Sequence, residues 1–552
     1  MTRRRIAALL VAAALGVTVI GTGVVLMRPA TPTVAAAAPH FVDETSAAGV
    51  ALTYDGEYPY AVGGGVAVFD CEGDGRPDLY LAGGSGPAIL YRNESSIGGA
   101  LRFAAVHNPA TDSPGVTGAY PVDVDGDGIV DVAVLRNGEN LLLHGLGGCR
   151  FERGNEKWGF DGGDLFTTAF SATWEPQATL PTLAFGNYIV DANNPDPARL
   201  CADNQLVRPD GGGRRYGTSI PLSPSWCAQS MLFSDWDRSG RRDLRVSNDR
   251  QYYSELSDGQ EQLWQIVPGQ PPRLYTATDG WVAMRIWGMG IASQDVTGDG
   301  LPDVYLTSQG DNKLQTLTSG PGQPTFRDIA VRRGVIATRP FTGGDKLPST
   351  AWHPEFADVN DDGFSDLFVS KGNVGEQAGY ATRDPSDLFL GQPDGTFVEA
   401  ADRAGILSFE RGRGAALVDL NLDGLLDLVE VNFGADAIVW RNVGRGTVDA
   451  PAAMGHWLQL AIEDPGSPNR NAIGAKLEAR IGELMAYREL TIGGGHAGGQ
   501  LGWLHLGLGP ANRASLRVTW PDGDAGPWLE VAADQFAIVR RGATEAEPWT
   551  PG

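Results

Sequence analysis

The sequence predicts an all-β protein, a seven-bladed β-propeller followed by a small β-sandwich-like domain. Three observations support this prediction: a nine-residue acidic loop recurs along the chain, short strand-like segments flank each copy, and the loops then give way to alternating strands. A repeat of about 50–60 residues with about four short strands is typical of a propeller blade. We expect a signal peptide or N-terminal membrane anchor at residues 1–38, the propeller at 39–452 and the small β domain at 453–545.

The clearest acidic loop is Asp123–Asp131, with acidic residues at positions 1, 3, 5 and 9 and Gly128 at position 6. Oxygen atoms at alternate positions of a tight turn converge on one point, which suits Ca²⁺ with its six to eight oxygen ligands. Four carboxylates without a cation would repel one another by roughly 3–4 kcal/mol per close pair at an effective dielectric constant of about 20. We therefore expect the side chains at positions 1, 3, 5 and 9 and the carbonyl at position 7 to bind Ca²⁺.

Five further loops follow this pattern, one of them weakly because Ser239 stands at its position 5. The first residues of successive loops lie 53–63 residues apart, except for one gap of 112, so we expect an eroded unit at 174–183. The six loops and the eroded copy together predict seven units, and the chain should bind about five to six Ca²⁺ ions. The predicted metal ligands are Asp70, Glu72, Asp74, Asp78, Asp123, Asp125, Asp127, Ile129, Asp131, Asp235, Asp237, Ser239, Asp243, Asp295, Thr297, Asp299, Leu301, Asp303, Asp358, Asn360, Asp362, Asp366, Asp419, Asn421, Asp423 and Asp427.

The segments on either side of each loop predict strands. They are four or five residues long, rich in aliphatic and aromatic residues, and bounded by Gly, Asn and Pro, as at 66–69 and 79–81. Another recurring segment begins with Phe41, Phe326 or Phe397 followed by an acidic residue two positions later. Seven such units would close a ring with few exposed sheet edges.

The last loop also satisfies the complete EF-hand pattern, because Glu430 stands at position 12. An EF-hand requires a helix on each side, whereas the segments around this loop alternate as strands do. In the other five loops position 12 is apolar. We therefore interpret the match as accidental and keep Glu430 as a candidate extra ligand.

The N-terminal segment predicts export from the cytoplasm. Arg3–Arg5 precede an apolar run from Ile6 to Met27, and Ala35–Ala38 offer small residues for cleavage. As a helix the run would measure about 33 Å, enough for a bilayer core of about 30 Å, so an uncleaved anchor is the alternative to a cleaved signal. We expect a secreted, periplasmic or cell-surface protein that touches a membrane only through this segment.

The four cysteines suit an oxidising compartment. Three pairings are open, of which we favour Cys201–Cys227 together with Cys71–Cys149. The formal net charge of −24 argues against nucleic acid as a partner. We assign much of this charge to the loops, where bound Ca²⁺ would neutralise it, and we expect a monomer.

The residues after 453 lack acidic loops and alternate as strands do, with turns assigned to Gly493–Gly495 and Pro521–Gly523. His496 and His505 lie near glycine-rich turns, where they mark either a site or ordinary structural histidines.

Two sets of motifs resemble known families. The strand–DxDxDGxxD–strand repeats resemble FG-GAP or VCBS repeats, and the tail motifs at 469–475, 493–495, 505–509 and 518–523 resemble an ASPIC/UnbV domain. Their order is similar to that of cartilage-acidic-protein-like proteins. The resemblance implies a seven-bladed propeller, extracytoplasmic calcium binding and, in animal members, adhesion or receptor interaction.

The function predicted from these features is an extracytoplasmic calcium-binding propeller that acts as an adhesion or interaction module for an envelope protein or glycan. The seven histidines are scattered, and no H-E-x-x-H, G-x-S-x-G or Walker motif is present. We therefore expect a binding module rather than an enzyme. The alternative is a calcium-assisted polysaccharide lyase or hydrolase whose site is gathered from several blades in the propeller channel.

Overall fold

A computed structural model gives the structure of the protein and describes residues 36–190, 201–249, 259–336 and 344–552. The predicted export segment lies almost entirely outside the described residues. Within them the protein consists of strands and loops with a few single-turn helices, which confirms the predicted all-β fold.

The strands of the first part of the chain are β1 (Phe41–Asp43), β2 (Val66–Phe69), β3 (Asp78–Leu81), β4 (Ile89–Asn93), β5 (Phe103–Val106), β6 (Val116–Val122), β7 (Asp131–Gly138), β8 (Leu141–Gly145), β9 (Phe151–Arg153), β10 (Leu165–Thr173), β11 (Thr182–Asn187), β12 (Asn204–Val207), β13 (Ile220–Leu222), β14 (Ala228–Ser234), β15 (Asp243–Asn248), β16 (Gln262–Gln265), β17 (Arg273–Leu274), β18 (Gly288–Gln294), β19 (Asp303–Ser308), β20 (Lys313–Leu317), β21 (Phe326–Asp328), β22 (Ala351–Ala357), β23 (Asp366–Lys371), β24 (Asp387–Gly391), β25 (Phe397–Glu399), β26 (Gly412–Val418), β27 (Asp427–Asn432) and β28 (Ile438–Asn442).

Among the described residues these strands form seven antiparallel units of four strands. Six units are consecutive, from β2–β5 to β22–β25, and the last consists of β26, β27, β28 and β1. The first strand of each unit contacts the first strand of the next, and β26 contacts β2 in turn. The ring is closed by β1, since Val42 pairs with Arg441 of β28.

The acidic loops join the first and second strands of six units, and we number them by unit as loops 1, 2, 4, 5, 6 and 7. Position 9 of every loop is the first residue of the second strand, as Asp131 is in β7. In the third unit residues 174–181 join β10 to β11 at the equivalent place, where the eroded copy was expected.

Besides two short 3-10 helices at Tyr60–Val62 and Ala277–Asp279, four α-helices of one turn each occur in the described residues, at Thr45–Ala48, Asn155–Trp158, Ala330–Arg333 and Ala401–Ala404. Each follows the outermost strand of a unit, and none borders an acidic loop, so the loops are not EF-hands. No helix in these parts of the chain has the length and apolar character needed to cross a membrane.

The strands that follow are β29 (His456–Glu463), β30 (Lys476–Ile481), β31 (Leu484–Glu489), β32 (Gly499–Leu501), β33 (Leu504–Gly509), β34 (Arg513–Thr519), β35 (Leu529–Ala532), β36 (Gln535–Arg540) and β37 (Glu547–Trp549). All but β32 form two four-stranded sheets, in the orders β33-β29-β36-β37 and β31-β30-β34-β35. Apolar residues of both sheets, including Leu458, Leu477 and Leu516, form one buried cluster. We call these two sheets and their connections the C-terminal sandwich.

Residues 491–501 leave this sandwich and enter the ring, and we call them the channel segment. Its last residues form β32, which pairs in parallel with β2, so that Gly499 lies opposite Ala67. The backbone N–H of Ala172 donates to the carbonyl of Ile492 over 3.1 Å, and that of Gly495 donates to Ile291 over 2.7 Å. The sequence prediction of a simple turn at Gly493–Gly495 is therefore wrong, because these glycines bond to the first strands of the ring.

Two disulfides cross-link the ring, Cys71–Cys149 and Cys201–Cys227. Both favoured pairings are thus present. Cys71 lies in loop 1 and Cys149 follows β8, so the first bridge joins the first and second units.

Candidate metal sites

The carboxylate at position 1 folds each acidic loop around itself. In loop 2, Oδ1 of Asp123 accepts the backbone N–H of Gly126 over 2.8 Å, and Oδ2 accepts that of Gly128 over 3.0 Å. Gly128 has a φ of 87°, a conformation that residues with a side chain rarely adopt. In loop 5, Asp295 accepts the corresponding bonds over 2.7 and 2.8 Å. The local sequence therefore dictates a tight turn whose side chains point inward.

The carboxylate at position 9 connects the loop to the neighbouring strand. In loop 2, Oδ2 of Asp131 accepts the N–H of Val124 at position 2, and Oδ1 accepts that of Gly145 in β8, each over 2.8 Å. Loops 1, 6 and 7 repeat both bonds with Asp78, Asp366 and Asp427. Burial raises the pKa of Asp131 to about 8, although these backbone bonds lower it. A buried carboxylate of this kind is costly to ionise unless positive charge lies nearby.

The oxygen atoms of the loops fit a hard divalent cation. Carboxylate oxygens of Asp123, Asp125 and Asp131 lie within 4.8 Å of one another, a spacing that one Ca²⁺ with ligands at about 2.3–2.6 Å can bridge. Oδ1 of Asp125 is buried and accepts no hydrogen bond from the described residues. The same is true in loop 7 of Oδ1 of Asn421, a residue only 1% exposed, and of Oδ2 of Asp423. Buried oxygens without donors are unfavourable, and a cation at this point would satisfy them.

Among the described residues the predicted ligands of loop 2 include three carboxylates within 4.8 Å of one another, and loops 1, 5, 6 and 7 have in common the bond from the N–H at position 6 to the carboxylate at position 1. In loop 1, Asp74 forms an ion pair of 2.8 Å with Arg76, and Glu72 lies 4.0 Å from Arg92. At position 7 the N–H groups of Ile129 and Leu301 donate to the aspartate at position 5 over 2.8 and 2.9 Å. The carbonyl role of these two residues stays a prediction.

Loop 4 has ion pairs at the carboxylates of positions 1 and 9. Its residues Asp235, Asp237, Ser239 and Asp243 lie together as the sequence predicted, but Lys476 of the C-terminal sandwich forms an ion pair with Asp235. Arg241 forms a second pair with Asp243 over 2.8 Å. Two cationic side chains, Lys476 and Arg241, thus form ion pairs with the carboxylates at positions 1 and 9.

Glu430 is not an additional ligand. Its carboxylate is 1% exposed and accepts hydrogen bonds from the hydroxyl groups of Ser370 and Ser386 over 2.5 and 2.6 Å. Both serines belong to the preceding unit of the ring, so Glu430 joins two neighbouring units. The interpretation of Glu430 as a candidate ligand is therefore wrong, because the strand points this side chain away from its loop.

The C-terminal sandwich covers the loops, an arrangement that sequence reasoning missed. The indole of Trp503 donates to the carbonyl of Gly75 in loop 1 over 3.0 Å, and His505 contacts Asp361 in loop 6 over 2.9 Å. At Gly424 of loop 7, an added Cβ atom would lie 1.9 Å from the ring of Trp457. The only sequence signal for the contact between Gly424 and Trp457 was the glycine that recurs at position 6 of the loops. The turn of the loop requires the same glycine. The acidic loops thus lie at the interface between ring and sandwich.

The polar side chains of the channel are bonded to one another. Nδ1 of His353 accepts the N–H of His496 over 3.1 Å, and Nε2 lies 3.3 Å from Glu355. Glu355 also accepts a bond from Gln500 over 2.6 Å. A cavity of about 530 Å³ adjoins these residues and is lined by first strands and acidic loops of the ring, by the channel segment and by the C-terminal sandwich. Both nitrogens of His353 are therefore engaged by other groups of the channel.

The side chains of His496 and His505, for which the sequence left a functional site as one of two interpretations, are buried. Burial lowers the pKa of His496 to about 3 and that of His505 to about 4. The ring centroid of His496 lies 4.9 Å from that of Trp352, and His505 contacts Asp361. Both histidines are therefore neutral at ordinary pH and serve packing between ring, channel segment and sandwich.

Comparison with known families identifies both parts of the chain. A model described as FG-GAP-like repeat matches residues 70–134 and 295–369, and one described as ASPIC and UnbV matches residues 465–546. The chain thus contains FG-GAP-like repeats and an ASPIC/UnbV domain, as the motifs predicted.

Among curated proteins the chain is similar to cartilage acidic protein 1. Identity is 27% over 220 residues with the Mus musculus protein, covering 36% of this chain and 30% of that protein. It is 28% over 245 residues with the Homo sapiens protein, covering 43% of this chain and 33% of that protein. The chain therefore spans about a third of the length of the curated relatives it matches.

Two solved structures are similar to the structure of this protein at low sequence identity. One is an Agrocybe aegerita lectin that recognises non-reducing terminal N-acetylglucosamine, with 16% identity, a TM-score of 0.40, and coverage of 69% of this chain and 92% of that chain. The other is BBS1N in complex with ARL6DN, with 11% identity, a TM-score of 0.41, and coverage of 74% and 98%.

Proposed function

We propose that this protein is an extracytoplasmic interaction module whose ring is stabilised by Ca²⁺ in loops 1, 2, 5, 6 and 7. The observation that carries the proposal is made in loop 2, where carboxylate oxygens of Asp123, Asp125 and Asp131 lie within 4.8 Å of one another and Oδ1 of Asp125 is buried without a donor among the described residues. Oδ1 of Asn421 in loop 7 is buried without a donor in the same way. Ca²⁺ would be held by the side chains of the loop and would neutralise their charge. Each ion would fix the turn between the first two strands of a unit.

Two disulfides support a location outside the cytoplasm, because such bridges persist in oxidising compartments. Similarity to cartilage acidic protein 1 agrees with an interaction role, and the partner we propose is an envelope protein or glycan.

The face opposite the loops is the best candidate for the partner. It lies where the first strands of the units begin, since the loops follow the ends of those strands. Large apolar side chains are exposed there before β2, β18, β22 and β26: Tyr58 is 49% exposed, Val282 59%, Leu347 41% and Phe409 43%. The C-terminal sandwich covers the loop face, so these four apolar side chains on the opposite face stay accessible to a partner.

Catalysis in the channel is less well supported. The channel segment bonds to the first strands of the ring, and His353 and Glu355 are bonded to one another and to that segment. A polysaccharide would have to displace this backbone to reach them. A binding role therefore follows more directly from the geometry than the lyase or hydrolase alternative.

The test of the proposal is calcium counting on the full chain. Native mass spectrometry or plasma emission should find about five Ca²⁺ per chain, and Asp419→Asn should lower the count by one. Asp524→Asn is the control, since that side chain is 70% exposed and lies outside every loop. A chain that binds no Ca²⁺ at millimolar concentration would overturn the proposal. Retention on immobilised envelope glycans should fall when Phe409 and Leu347 are changed to Ser, which tests the partner face separately.

A further inference from the structure

Loop 4 differs from the other loops in how its first carboxylate is satisfied. Nζ of Lys476, at the start of β30, forms an ion pair with Oδ2 of Asp235. The side chain of Asp235 is fully buried and that of Lys476 is 16% exposed. The N–H of Asp235 donates to the partly buried Glu489, also from the C-terminal sandwich, over 3.0 Å. The ammonium group therefore lies inside the interface, next to the oxygen that a metal would use.

The carboxylate at position 9 is saturated by donors from side chains. Asp243 accepts bonds from Nε of Arg241 over 2.8 Å, from the indole of Trp236 over 2.9 Å and from the hydroxyl of Tyr275 over 2.9 Å. In loops 1, 2, 6 and 7 the equivalent oxygen accepts the backbone N–H at position 2. Within the described residues no lysine or arginine pairs with position 9 in those four loops, although Nδ1 of His144 lies 3.1 Å from Oδ1 of Asp131 in loop 2.

The middle positions of loop 4 lack free oxygens as well. Ser239 at position 5 has no carboxylate, and Asp237 at position 3 accepts the N–H groups of Gly322 and Ser239 over 2.6 and 3.1 Å. Oδ1 of Asp235 is the one carboxylate oxygen of the loop that is buried without a donor in the described parts of the chain. Loop 4 thus offers three carboxylates at positions 1, 3, 5 and 9, one fewer than loop 2.

We propose that the ammonium group of Lys476 takes the place of the metal ion in loop 4. The loop consequently binds no Ca²⁺ and instead ties the C-terminal sandwich to the fourth unit through a protein ion pair. A divalent cation at this point would meet two positive side chains, Lys476 and Arg241, and like charges at such distances repel strongly in a buried site. The inference rests on the proposed function in that the other loops bind Ca²⁺.

Loop 2 shows why a lysine next to a loop carboxylate does not by itself exclude Ca²⁺. Lys157 pairs with Oδ2 of Asp125 over 2.7 Å, but its side chain is 42% exposed and Oδ1 of Asp125 is left without a donor. Lys157 can move into solvent when a cation binds. The side chain of Lys476 is only 16% exposed and lies between ring and sandwich, so its ammonium group has less access to solvent than that of Lys157.

The first experiment compares matched substitutions at position 1. Calcium is counted per chain by native mass spectrometry in Asp235→Asn and Asp419→Asn. We expect the count of Asp235→Asn to equal that of the wild type and the count of Asp419→Asn to be one lower. A loss of one ion in Asp235→Asn would overturn the inference while leaving the proposed function in place. A wild type that binds no Ca²⁺ would refute the proposed function instead.

The second experiment installs a metal site. The triple variant Lys476→Met, Ser239→Asp and Arg241→Leu removes both cations and supplies the missing carboxylate, and we expect it to bind one more Ca²⁺ than the wild type. Lys157→Met is the control and should leave the count unchanged. If the triple variant fails to fold, Lys476→Met alone is melted in chelator and in excess Ca²⁺. The melting temperature should fall by at least about 2 °C in both, and an unchanged melt, or full rescue by Ca²⁺, would contradict the role given to Lys476.

Discussion

Replacement of Gly118 by Ala tests whether the channel segment packs against the ring as the structure shows. A Cβ atom at Gly118 would lie 2.0 Å from the carbonyl oxygen of Ala497 and 2.9 Å from its Cβ. Both contacts are with the channel segment, and the first is with backbone, which cannot rotate away. Gly118 does not have a positive φ, so Ala is compatible with its backbone, and the effect should come from this clash alone.

The expected cost of Gly118→Ala is about 2–4 kcal/mol. Overpacking of a tight core costs about 1–3 kcal/mol, and loss of one backbone hydrogen bond adds about 1 kcal/mol. The bond at risk joins the N–H of Ala119 to the carbonyl of Ala497 over 3.0 Å. We expect a lower midpoint in guanidinium unfolding and faster hydrogen exchange at the amides of residues 491–501.

The matched control is Gly320→Ala, where nothing lies within 4 Å of the added Cβ atom and the φ is not positive. That change should be neutral or stabilising by up to about 1 kcal/mol, because Ala restricts the unfolded chain. If Gly118→Ala matched Gly320→Ala in both stability and exchange, the channel segment would not occupy the ring as described.

Three further predictions concern stability. Removal of Ca²⁺ with a chelator should lower the melting temperature, since each site contributes about 2.7 kcal/mol when Ca²⁺ is at 100 times its Kd. Asp127→Ala should reproduce part of this loss, and the exposed Asp524→Ala should not. An identical melt with and without chelator would contradict the role of the loops. Joint replacement of Cys71 and Cys149 by Ser should destabilise the ring by up to about 4 kcal/mol, because the bridge closes a loop with a sequence separation of 78; a melt equal to that of the wild type would show that the packing between the first two units suffices. Leu516→Ala should cost about 2–5 kcal/mol, because this fully buried side chain lies in the core of the C-terminal sandwich, and calorimetry that shows no shift would place the side chain outside that core.

The repeating units could be predicted because their signal is local. A carboxylate at position 1 folds its own loop, and position 9 always starts the next strand, so spacing alone locates the first two strands of each unit. The segment beginning at Phe41 resembles those at Phe326 and Phe397, and all three are outermost strands.

The contacts between distant parts of the chain could not be predicted in this way. The glycines at 493–495 read as a turn, since a sequence does not reveal which backbone lies beside them. Lys476 gave no signal, because its partner Asp235 is 241 residues away. Such contacts depend on how the sandwich is placed on the ring, and only the structure shows that placement.

The pairing of β1 with β28 has a consequence for biosynthesis. During translation Phe41 and Val42 leave the ribosome about 400 residues before their partners Asn442 and Arg441, which at about 5–20 residues per second is a delay of some 20–80 s. Through that interval β1 has no sheet to join, and the ring cannot be completed by a nascent chain that ends before Asn442. Ribosome-bound fragments released before that length should accordingly be more sensitive to protease near residue 41 than fragments released after it.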